Sequence, residues 1–484
     1  MIIGVEVQER DLMISYYDAD GKIAYIRKRL AEHEIFNWVE HNRPSQYKNW
    51  DGTFIKQESS DPKWLARTRL EELIIDKLTP YEKALIYNFE NFPKKDYIDI
   101  EIKLTSDEFP KPEEVKMPVG MISFCNEEGV NYVLSIMDSE EHPNGLSDDD
   151  IQRMEVEVND YFKNTIPHDP KDRKILDQDF TIKHKFFNSE KELLEFYFHQ
   201  IAPRQPFLTG WNVVDFDWQY LMNRTSKIGV DSLKNMTSRK TFSKRHKLPT
   251  HMGIVDYMQL FIDPGYKPYK VVENYTLDYI ASKALNTSKL KHPYKSFREF
   301  QQDVYMFTLY NIIDNILVKL LEDKFGLLEV AFSTANVAEV EVNKVFSPVH
   351  ITEVLMCRQF LNSNLKMLKK GYQSKSDEED ATYAGAYVMP PVPGYYKFVS
   401  CYDFKSMYPN IQMQFNCCPS AYLGKIGMIK TNGTEITTKN NTLFDSQKDS
   451  VARVILERLY NARIEAQEEI KDLKFNRKWC TVWS

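Results

Sequence analysis

The chain has 484 residues and a mass of 57.0 kDa, with 42% hydrophobic and 27% charged residues and a formal net charge of −7. This length is enough for about three domains, and the composition excludes both a small disulfide-stapled scaffold and an intrinsically disordered chain. The mean hydropathy is −0.49, and no apolar run approaches the ~20 residues that a spanning helix needs, so we expect no contact with a membrane.

The amino terminus predicts a mature protein that is not exported. Residues 1–23 alternate apolar and polar side chains like a first strand followed by a D-G turn, and they lack a basic leader with an apolar core. The six cysteines include no C-x-x-C pair, so neither a zinc site nor a disulfide framework is indicated. We therefore expect a cytoplasmic location.

Hydrophobic periodicity predicts an α/β multidomain protein. In chain order the predicted elements are a helix at 64–78, strands at 97–104 and 119–125, a helix at 190–201, a strand at 206–213, a helix at 311–326, a strand at 395–404 and a helix at 451–475. Strands and helices alternate between 96 and about 330, which favours an α/β sheet domain there.

Two acidic residues in the strand at 97–104 form the first candidate site. Asp99 and Glu101 are two residues apart, so they point to one face of the strand while isoleucines fill the other. Paired carboxylates offer the hard oxygen ligands that Mg²⁺ and Mn²⁺ prefer. Alone, the pair is a weak signal and is more typical of an ordinary solvated edge strand.

Two further acidic segments support a metal site. In G-W-N-V-V-D-F-D a strand leads into a turn with Asp215 and Asp217, and in Y-N-I-I-D the spacing of four makes Tyr310 and Asp314 neighbours on a helix. Paired divalent ions held by such carboxylates stabilise the attacking and leaving oxygens in phosphoryl transfer.

These motifs, D-I-E, N-x-x-x-F-D and Y-x-x-x-D, resemble in order and context the 3′-5′ proofreading exonuclease domain of family B DNA polymerases. The stretches at 105–119, 210–224 and 273–286 are most similar to the polymerases of T-even-type phages. The resemblance implies a ribonuclease-H-like domain in which two Mg²⁺ or Mn²⁺ ions are held by Asp99, Glu101, Asp217 and Asp314.

The same resemblance suggests roles for other residues near these motifs. Tyr310 orients the attacking water, and Asp215 is excluded as a metal ligand. Lys289 is a candidate for contacting the scissile phosphate, but a solvated loop lysine is the preferred interpretation. The basic cluster at 238–247 is interpreted in the same way, as a solvated loop.

A second resemblance begins at Asp403, where a predicted strand runs into a turn containing Pro409. D-F-K-S-M-Y-P-N resembles polymerase motif A, D-x-x-S-L-Y-P-S, with methionine and asparagine as departures. It implies that Asp403 is catalytic and binds both metals of a polymerase site. The residues implied to bind the incoming nucleotide are Phe404, Ser406, Met407 and Tyr408, the last by packing under the sugar.

Two elements that flank motif A resemble other parts of the same family. Tyr383 and Gly385 belong to a Y-x-G-A-x-V element that contacts template DNA in the family, although a glycine turn beside packed aromatics explains it equally well. Arg463 lies where the first fingers helix carries an arginine that reaches the triphosphate, and Ile464 replaces a residue that is often basic.

The remaining polymerase motifs are absent from the 484 residues. There is no K-x-x-x-N-S-x-Y-G helix and no D-T-D-S hairpin, whose carboxylate shares the metals with motif A. We therefore expect that this chain alone does not synthesise DNA. An artificial truncation and a stand-alone exonuclease with a polymerase remnant are alternatives, but the favoured explanation is the amino-terminal subunit of a split polymerase. The apolar end that contains Trp479 and Trp483 would meet the partner, although a tail that folds back onto its own helix explains it nearly as well.

The full expectation is a ribonuclease-H-like exonuclease with a mixed α/β amino-terminal domain and a partial palm and fingers. The expected domains are an amino-terminal domain at 1–95 and 328–374, the exonuclease at 96–327, a partial palm at 375–450 and a truncated fingers helix at 451–484.

The expected partners are primer–template DNA, a single-stranded 3′ end, deoxynucleoside triphosphates, a carboxy-terminal polymerase polypeptide and, through it, a sliding clamp. The expected location is the host cytoplasm if the protein is viral. A non-catalytic DNA-binding scaffold is a third hypothesis, against which the complete acidic set counts.

Overall fold

A computed structural model describes residues 1–49, 53–87, 91–106, 108–234, 248–249, 252–362, 366, 388–427 and 433–482. The basic cluster at 238–247, the pair Tyr383 and Gly385, and Trp483 lie outside the described residues. The chain forms two compact units, one of Met1–Leu30 with Lys77–Ile351 and one of Ala31–Asp76 with Thr352–Ser484. The domain boundaries expected from the sequence remain a prediction.

Both units contain strands as well as helices. The strands are β1 (Ile2–Gln8), β2 (Asp11–Tyr17), β3 (Ile23–Arg29), β4 (Phe36–Glu40), β5 (Tyr47–Lys48), β6 (Phe54–Ser59), β7 (Lys95–Ile102), β8 (Val119–Asn126), β9 (Val130–Ser135), β10 (Thr181–Phe186), β11 (Phe207–Gly210), β12 (Gly253–Asp256), β13 (Tyr422–Lys425), β14 (Ile436–Thr437) and β15 (Thr442–Phe444). The α-helices are α1 (Arg67–Lys77), α2 (Pro80–Tyr87), α3 (Asp148–Lys163), α4 (Arg173–Leu176), α5 (Glu190–Phe196), α6 (Asp217–Ile228), α7 (Tyr257–Ile262), α8 (Leu277–Leu285), α9 (Phe297–Phe300), α10 (Val304–Phe325), α11 (Leu327–Ala338), α12 (Pro348–Asn362), α13 (Met407–Gln414) and α14 (Val451–Val482).

The first unit is built on a six-stranded mixed sheet in the order β10-β9-β8-β7-β11-β12. The pairs β7–β8 and β8–β9 are antiparallel, whereas β10–β9, β11–β7 and β11–β12 are parallel. The parallel pairs require crossover connections, and helices supply them. The predicted mixed α/β architecture is confirmed, and β7, which carries Asp99 and Glu101, lies in the interior of the sheet.

Helix α10 is the main core helix of this unit and packs on β7 and β8. It begins at Val304, earlier than predicted, with Asp303 accepting a hydrogen bond from the Met306 N–H, and it ends before Gly326 at φ 61°. Contrary to the sequence-based expectation, α10 is long and apolar enough to cross a membrane by length and composition. Its apolar window is 94% buried inside the protein, which is typical of a core helix.

The second unit has two three-stranded sheets among its described residues, in the orders β4-β6-β5 and β13-β15-β14. The predicted helices α1 and α14 are confirmed, but the predicted strand at 395–404 is wrong. Residues 388–406 form no strand, and most of their side chains are exposed. A strand needs a neighbour to pair its backbone groups, and no described strand lies against this segment.

Candidate active site

The candidate site is centred on β7, whose two faces differ in chemistry. Ile98, Ile100 and Ile102 are buried in the apolar core, while Asp99 and Glu101 alternate with them and line a cavity. Because β7 lies between β8 and β11, the alternative of a solvated edge strand does not apply.

The turn after β11 is held against β7 by a glycine and a buried carboxylate. A Cβ at Gly210 would lie 2.4 Å from the carbonyl oxygen of Ile98, so only glycine fits there without displacement. Asn212, two residues after Gly210, has a left-handed backbone conformation with φ 62°. Asp256 accepts hydrogen bonds from the N–H groups of Asn212 at 3.1 Å and Val214 at 3.3 Å, which fixes the path of the turn.

The third carboxylate belongs to Asp217, the first residue of α6. A negative charge is favoured at a helix amino terminus, where unpaired N–H groups concentrate. Its Oδ1 accepts a hydrogen bond from the Ile100 N–H at 3.1 Å, which ties the helix start to β7. Asp215, two residues earlier, is exposed and does not line the cavity.

Helix α10 supplies Tyr310 and Asp314, one turn apart, and both are largely buried. The cavity enclosed by these elements has a volume of about 510 Å³. The structure thus brings together around one cavity all five residues predicted for the exonuclease site, which are Asp99, Glu101, Asp217, Tyr310 and Asp314.

The carboxylates of this cavity share an unfavourable environment for negative charge. Burial, and then the nearby Asp314, raise the pKa of Asp99 to about 7. Burial and neighbouring carboxylates also raise the pKa values of Glu101 and Asp217 well above their ordinary range. Asp314 Oδ1 is buried without a hydrogen-bond partner. Several buried like charges and an unpaired oxygen together favour binding of a cation.

The preferred interpretation of Lys289 as a solvated loop lysine is wrong. Its Nζ lies 2.5 Å from Asp314 Oδ2 and 3.0 Å from the Tyr310 hydroxyl, and its side chain lines the cavity. Burial acts to lower the pKa of Lys289, but the charge of Asp314 outweighs this and raises it. The ammonium therefore stays protonated as the charge partner of Asp314.

Divalent cations fit the chemistry of this donor set. The four acids offer hard oxygen ligands, which Mg²⁺ and Mn²⁺ prefer, and Asp314 retains an unpaired oxygen. Within the described ranges, no three Asp, Glu, His or Cys side chains are close enough together to form a complete ion site. In this arrangement the ammonium of Lys289 lies beside Asp314.

Among the described residues, the motif A residues belong to no group of acidic side chains that could hold a metal ion. Asp403 and Phe404 are exposed in the segment before α13, and Tyr408 is 72% exposed on α13. Ser406, at φ 50°, precedes this helix, and Met407 begins it. Arg463 is exposed on α14.

Sequence reasoning missed two residues that shape the cavity. Gln301, which lines it, donates a hydrogen bond to the Ile102 carbonyl at 2.5 Å and accepts one from the Leu104 N–H at 2.8 Å. Asp256 holds the turn that leads to Asp217. Asp256 follows the apolar run G-I-V at the end of a strand, and this position was its only signal in the sequence.

Two family sequence models match the chain. The model described as "DNA polymerase family B, exonuclease domain" matches residues 74–262, and the one described as "DNA polymerase family B" matches residues 342–478. Together they cover more than half of the chain. The chain belongs to family B of the DNA polymerases.

Curated relatives include phage and eukaryotic enzymes. The DNA-directed DNA polymerase of Escherichia phage RB69 is 27% identical over 83% of this chain, and that of Enterobacteria phage T4 is 22% identical over 87%. The DNA polymerase delta catalytic subunit of Plasmodium falciparum is 28% identical over 60% of this chain. The matches cover 46%, 47% and 28% of these relatives, so the chain spans about half the length of the two phage polymerases.

Gly210→Ala is expected to destabilise the protein by about 2 kcal/mol, because the new methyl group must displace β7 or β11. Chemical denaturation measures this effect. Gly265→Ala is the matched control, since its Cβ would meet only the side-chain oxygen of Asp263, at 3.1 Å. Equal stability of the two variants would contradict the close approach of Gly210 to Ile98.

Lys289→Met is expected to destabilise the protein in EDTA by about 2 kcal/mol, because it leaves Asp314 buried and unpaired. The loss is smaller than for a fully buried pair, since the Lys289 side chain is 33% exposed. The double variant Lys289→Met/Asp314→Asn should recover most of it. If the two losses simply add, the ion pair does not contribute in this way.

Proposed function

We propose that this chain is a metal-dependent 3′-5′ exonuclease that also carries the motif A half of a DNA polymerase site. The observation that supports the exonuclease most strongly is the convergence of four carboxylates, two buried and two half-buried, from β7, α6 and α10, with a tyrosine and a lysine around one cavity. A ribonuclease-H-like fold is the corresponding proposal for the sheet domain.

Six residues that line the cavity have chemical roles in this proposal. Asp99, Glu101, Asp217 and Asp314 would hold two Mg²⁺ or Mn²⁺ ions. Bound ions at such a site activate water and stabilise the charge that develops during phosphodiester hydrolysis. The Tyr310 hydroxyl orients the attacking water by hydrogen bonding. Lys289 provides a charge-assisted hydrogen bond for a phosphate oxygen once its own partner, Asp314, is engaged.

The lining of the cavity suits a single-stranded 3′ end. Phe109 is 76% exposed, and its ring centroid is 6.0 Å from that of Phe216 at one side of the cavity. Phe297 and Trp211 also line it. Exposed aromatic rings stack on unpaired bases without sequence preference, as a proofreading exonuclease requires.

For the polymerase half, we propose that Asp403 is one metal ligand of a site whose other carboxylate comes from residues beyond these 484. Phe404, Ser406, Met407, Tyr408 and Arg463 would bind the incoming nucleotide, and Tyr383 and Gly385 the template. The support is the match of residues 342–478 to the polymerase family, together with apolar side chains exposed near Asp403. Tyr395 is 88% exposed and Phe398 99%, so this partial palm offers apolar surface for further polypeptide to cover.

We further propose that this polypeptide is a separate carboxy-terminal subunit, as in a split polymerase. Primer–template DNA and deoxynucleoside triphosphates are the proposed substrates of the completed enzyme. A sliding clamp would bind through the added part. The proposed location is the cytoplasm, or the host cytoplasm for a phage protein.

The direction of degradation tests the exonuclease proposal. A 5′-labelled single strand incubated with Mg²⁺ should be shortened stepwise from its 3′ end, and EDTA should stop the reaction. A phosphorothioate at the 3′-terminal linkage should slow it, whereas the same substitution at the 5′ end should not. Binding of the strand without degradation would instead favour the non-catalytic scaffold. A stand-alone exonuclease would also degrade DNA without another polypeptide. Primer extension with a complementing polypeptide distinguishes it from the subunit of a split polymerase.

A further inference from the structure

A chain of polar side chains lies behind Asp99, between the sheet and α10. Asp99 on β7 is directly opposite Ser123 on β8 in the antiparallel register, so both side chains project from the same face of the sheet. Asn311 and Asn315 are four residues apart on α10, which packs on these strands. These residues are buried except for Asp99, which is half-buried.

Hydrogen bonds connect the four side chains in a row. Asn315 Nδ2 donates to Ser123 Oγ at 2.5 Å, and Asn311 Nδ2 donates to Asp99 Oδ2 at 2.6 Å. Between these two contacts, the Ser123 hydroxyl donates to Asn311 Oδ1. We call this row, Asn315–Ser123–Asn311–Asp99, the asparagine relay.

The order of donors in the asparagine relay follows from its charged end. An ionised Asp99 only accepts hydrogen bonds, so Asn311 must present its amide nitrogen to it and its oxygen to Ser123. The single hydroxyl proton of Ser123 is then used on Asn311, and the serine oxygen can only accept, from Asn315. One orientation of each side chain therefore satisfies every contact.

The polarity of these positions is not explained by packing. The space between a central sheet and a core helix is normally apolar, and a buried polar group costs free energy unless it is fully hydrogen-bonded. Ser123, Asn311 and Asn315 do not line the cavity, so they would not touch the substrate. Their hydrogen bonds lead instead to a single oxygen of Asp99.

We propose that the asparagine relay positions the Asp99 carboxylate for binding a divalent cation. The inference rests on the proposed function, because it assumes that Asp99 is a metal ligand. Asn311 holds Oδ2 and thereby the plane of the carboxylate, while Ser123 and Asn315 hold the amide of Asn311. These three are positioning residues, comparable to the outer-shell groups that orient ligands in other metal sites.

The test measures Mn²⁺ affinity of the full chain without DNA, by electron paramagnetic resonance titration. Ser123→Ala, which removes only the hydroxyl, should weaken the affinity about tenfold, and Ser123→Thr, which keeps it, should restore most of that loss. Cys125→Ala is the matched control, since Cys125 is equally buried on the same face of β8 and its thiol hydrogen-bonds the Asn126 carbonyl, outside the relay. Its affinity should equal that of the wild type.

Each outcome decides the question. Wild-type affinity in a folded Ser123→Ala variant would overturn the inference and leave the exonuclease proposal intact. No binding of Mn²⁺ by the wild type would overturn both. If Ser123→Ala does not fold, Asn315→Ala removes the first donor without adding volume and should again weaken Mn²⁺ binding about tenfold. Unchanged affinity in that variant would overturn the inference.

Discussion

Replacement of Asp314 by asparagine is expected to lower the rate of Mg²⁺-dependent degradation of single-stranded DNA by at least about 10³-fold, with a similar loss for Asp99→Asn. Each change keeps the shape of the side chain but removes a charged oxygen ligand. A single-turnover assay with a 5′-labelled oligonucleotide measures the rate constant without interference from product release.

Asp99→Asn should not lower the stability, because Asp99 is crowded by the charge of Asp314 and loss of its own charge relieves that repulsion. Asp314→Asn removes the partner of the Lys289 ammonium and is expected to cost some stability, so its rate is measured under conditions in which the variant is folded. Asp215→Asn is the matched control, because Asp215 is exposed, does not line the cavity and lies in the turn that leads to Asp217. Full activity of Asp314→Asn, or an equal loss in Asp215→Asn, would show that the metal ligands have been assigned wrongly.

The second prediction concerns primer extension, the assay of DNA synthesis. We expect no primer extension by this chain alone, because Asp403 has no described carboxylate partner and the 484 residues contain no D-T-D-S hairpin. Addition of a polypeptide with the remaining palm and thumb should restore extension. In that mixture, Asp403→Asn should lower the rate by at least about 10³-fold.

The control for Asp403→Asn is Asp472→Asn, the same change at an exposed position of α14. It should leave the restored activity unchanged. Primer extension by the isolated chain would contradict the proposal that its polymerase site is incomplete. Failure of every complementing polypeptide would count against a split polymerase and favour the stand-alone exonuclease.

Local geometry explains why much of the site could be predicted from the sequence. A spacing of two on a strand brings Asp99 and Glu101 to one face, and a spacing of four on a helix brings Tyr310 next to Asp314, whatever the tertiary fold. The structure adds that β7 is an interior strand and that Asp217 also reaches the cavity. The resemblance to family B polymerases supplied the grouping of these motifs, and the exonuclease family match covers the segments that carry Asp99, Glu101 and Asp217.

Residues whose role depends on tertiary contacts could not be predicted in this way. Lys289 looks like a loop lysine in the sequence, and only the fold places its ammonium beside Asp314. Asn311 and Ser123 are far apart in the chain and become neighbours because α10 packs on β8. The segment at 395–404 has the composition of a strand, but a strand requires a pairing partner that the sequence pattern does not reveal.

We propose that one site for two divalent ions is formed by Asp99, Glu101, Asp217 and Asp314. Anomalous diffraction from crystals of the protein soaked in Mn²⁺ tests this proposal, because the signal locates the ions themselves. We predict two anomalous peaks, roughly 3.5–4 Å apart, among these four carboxylates. Crystals that show no peak in this cavity at saturating Mn²⁺ would contradict the claim.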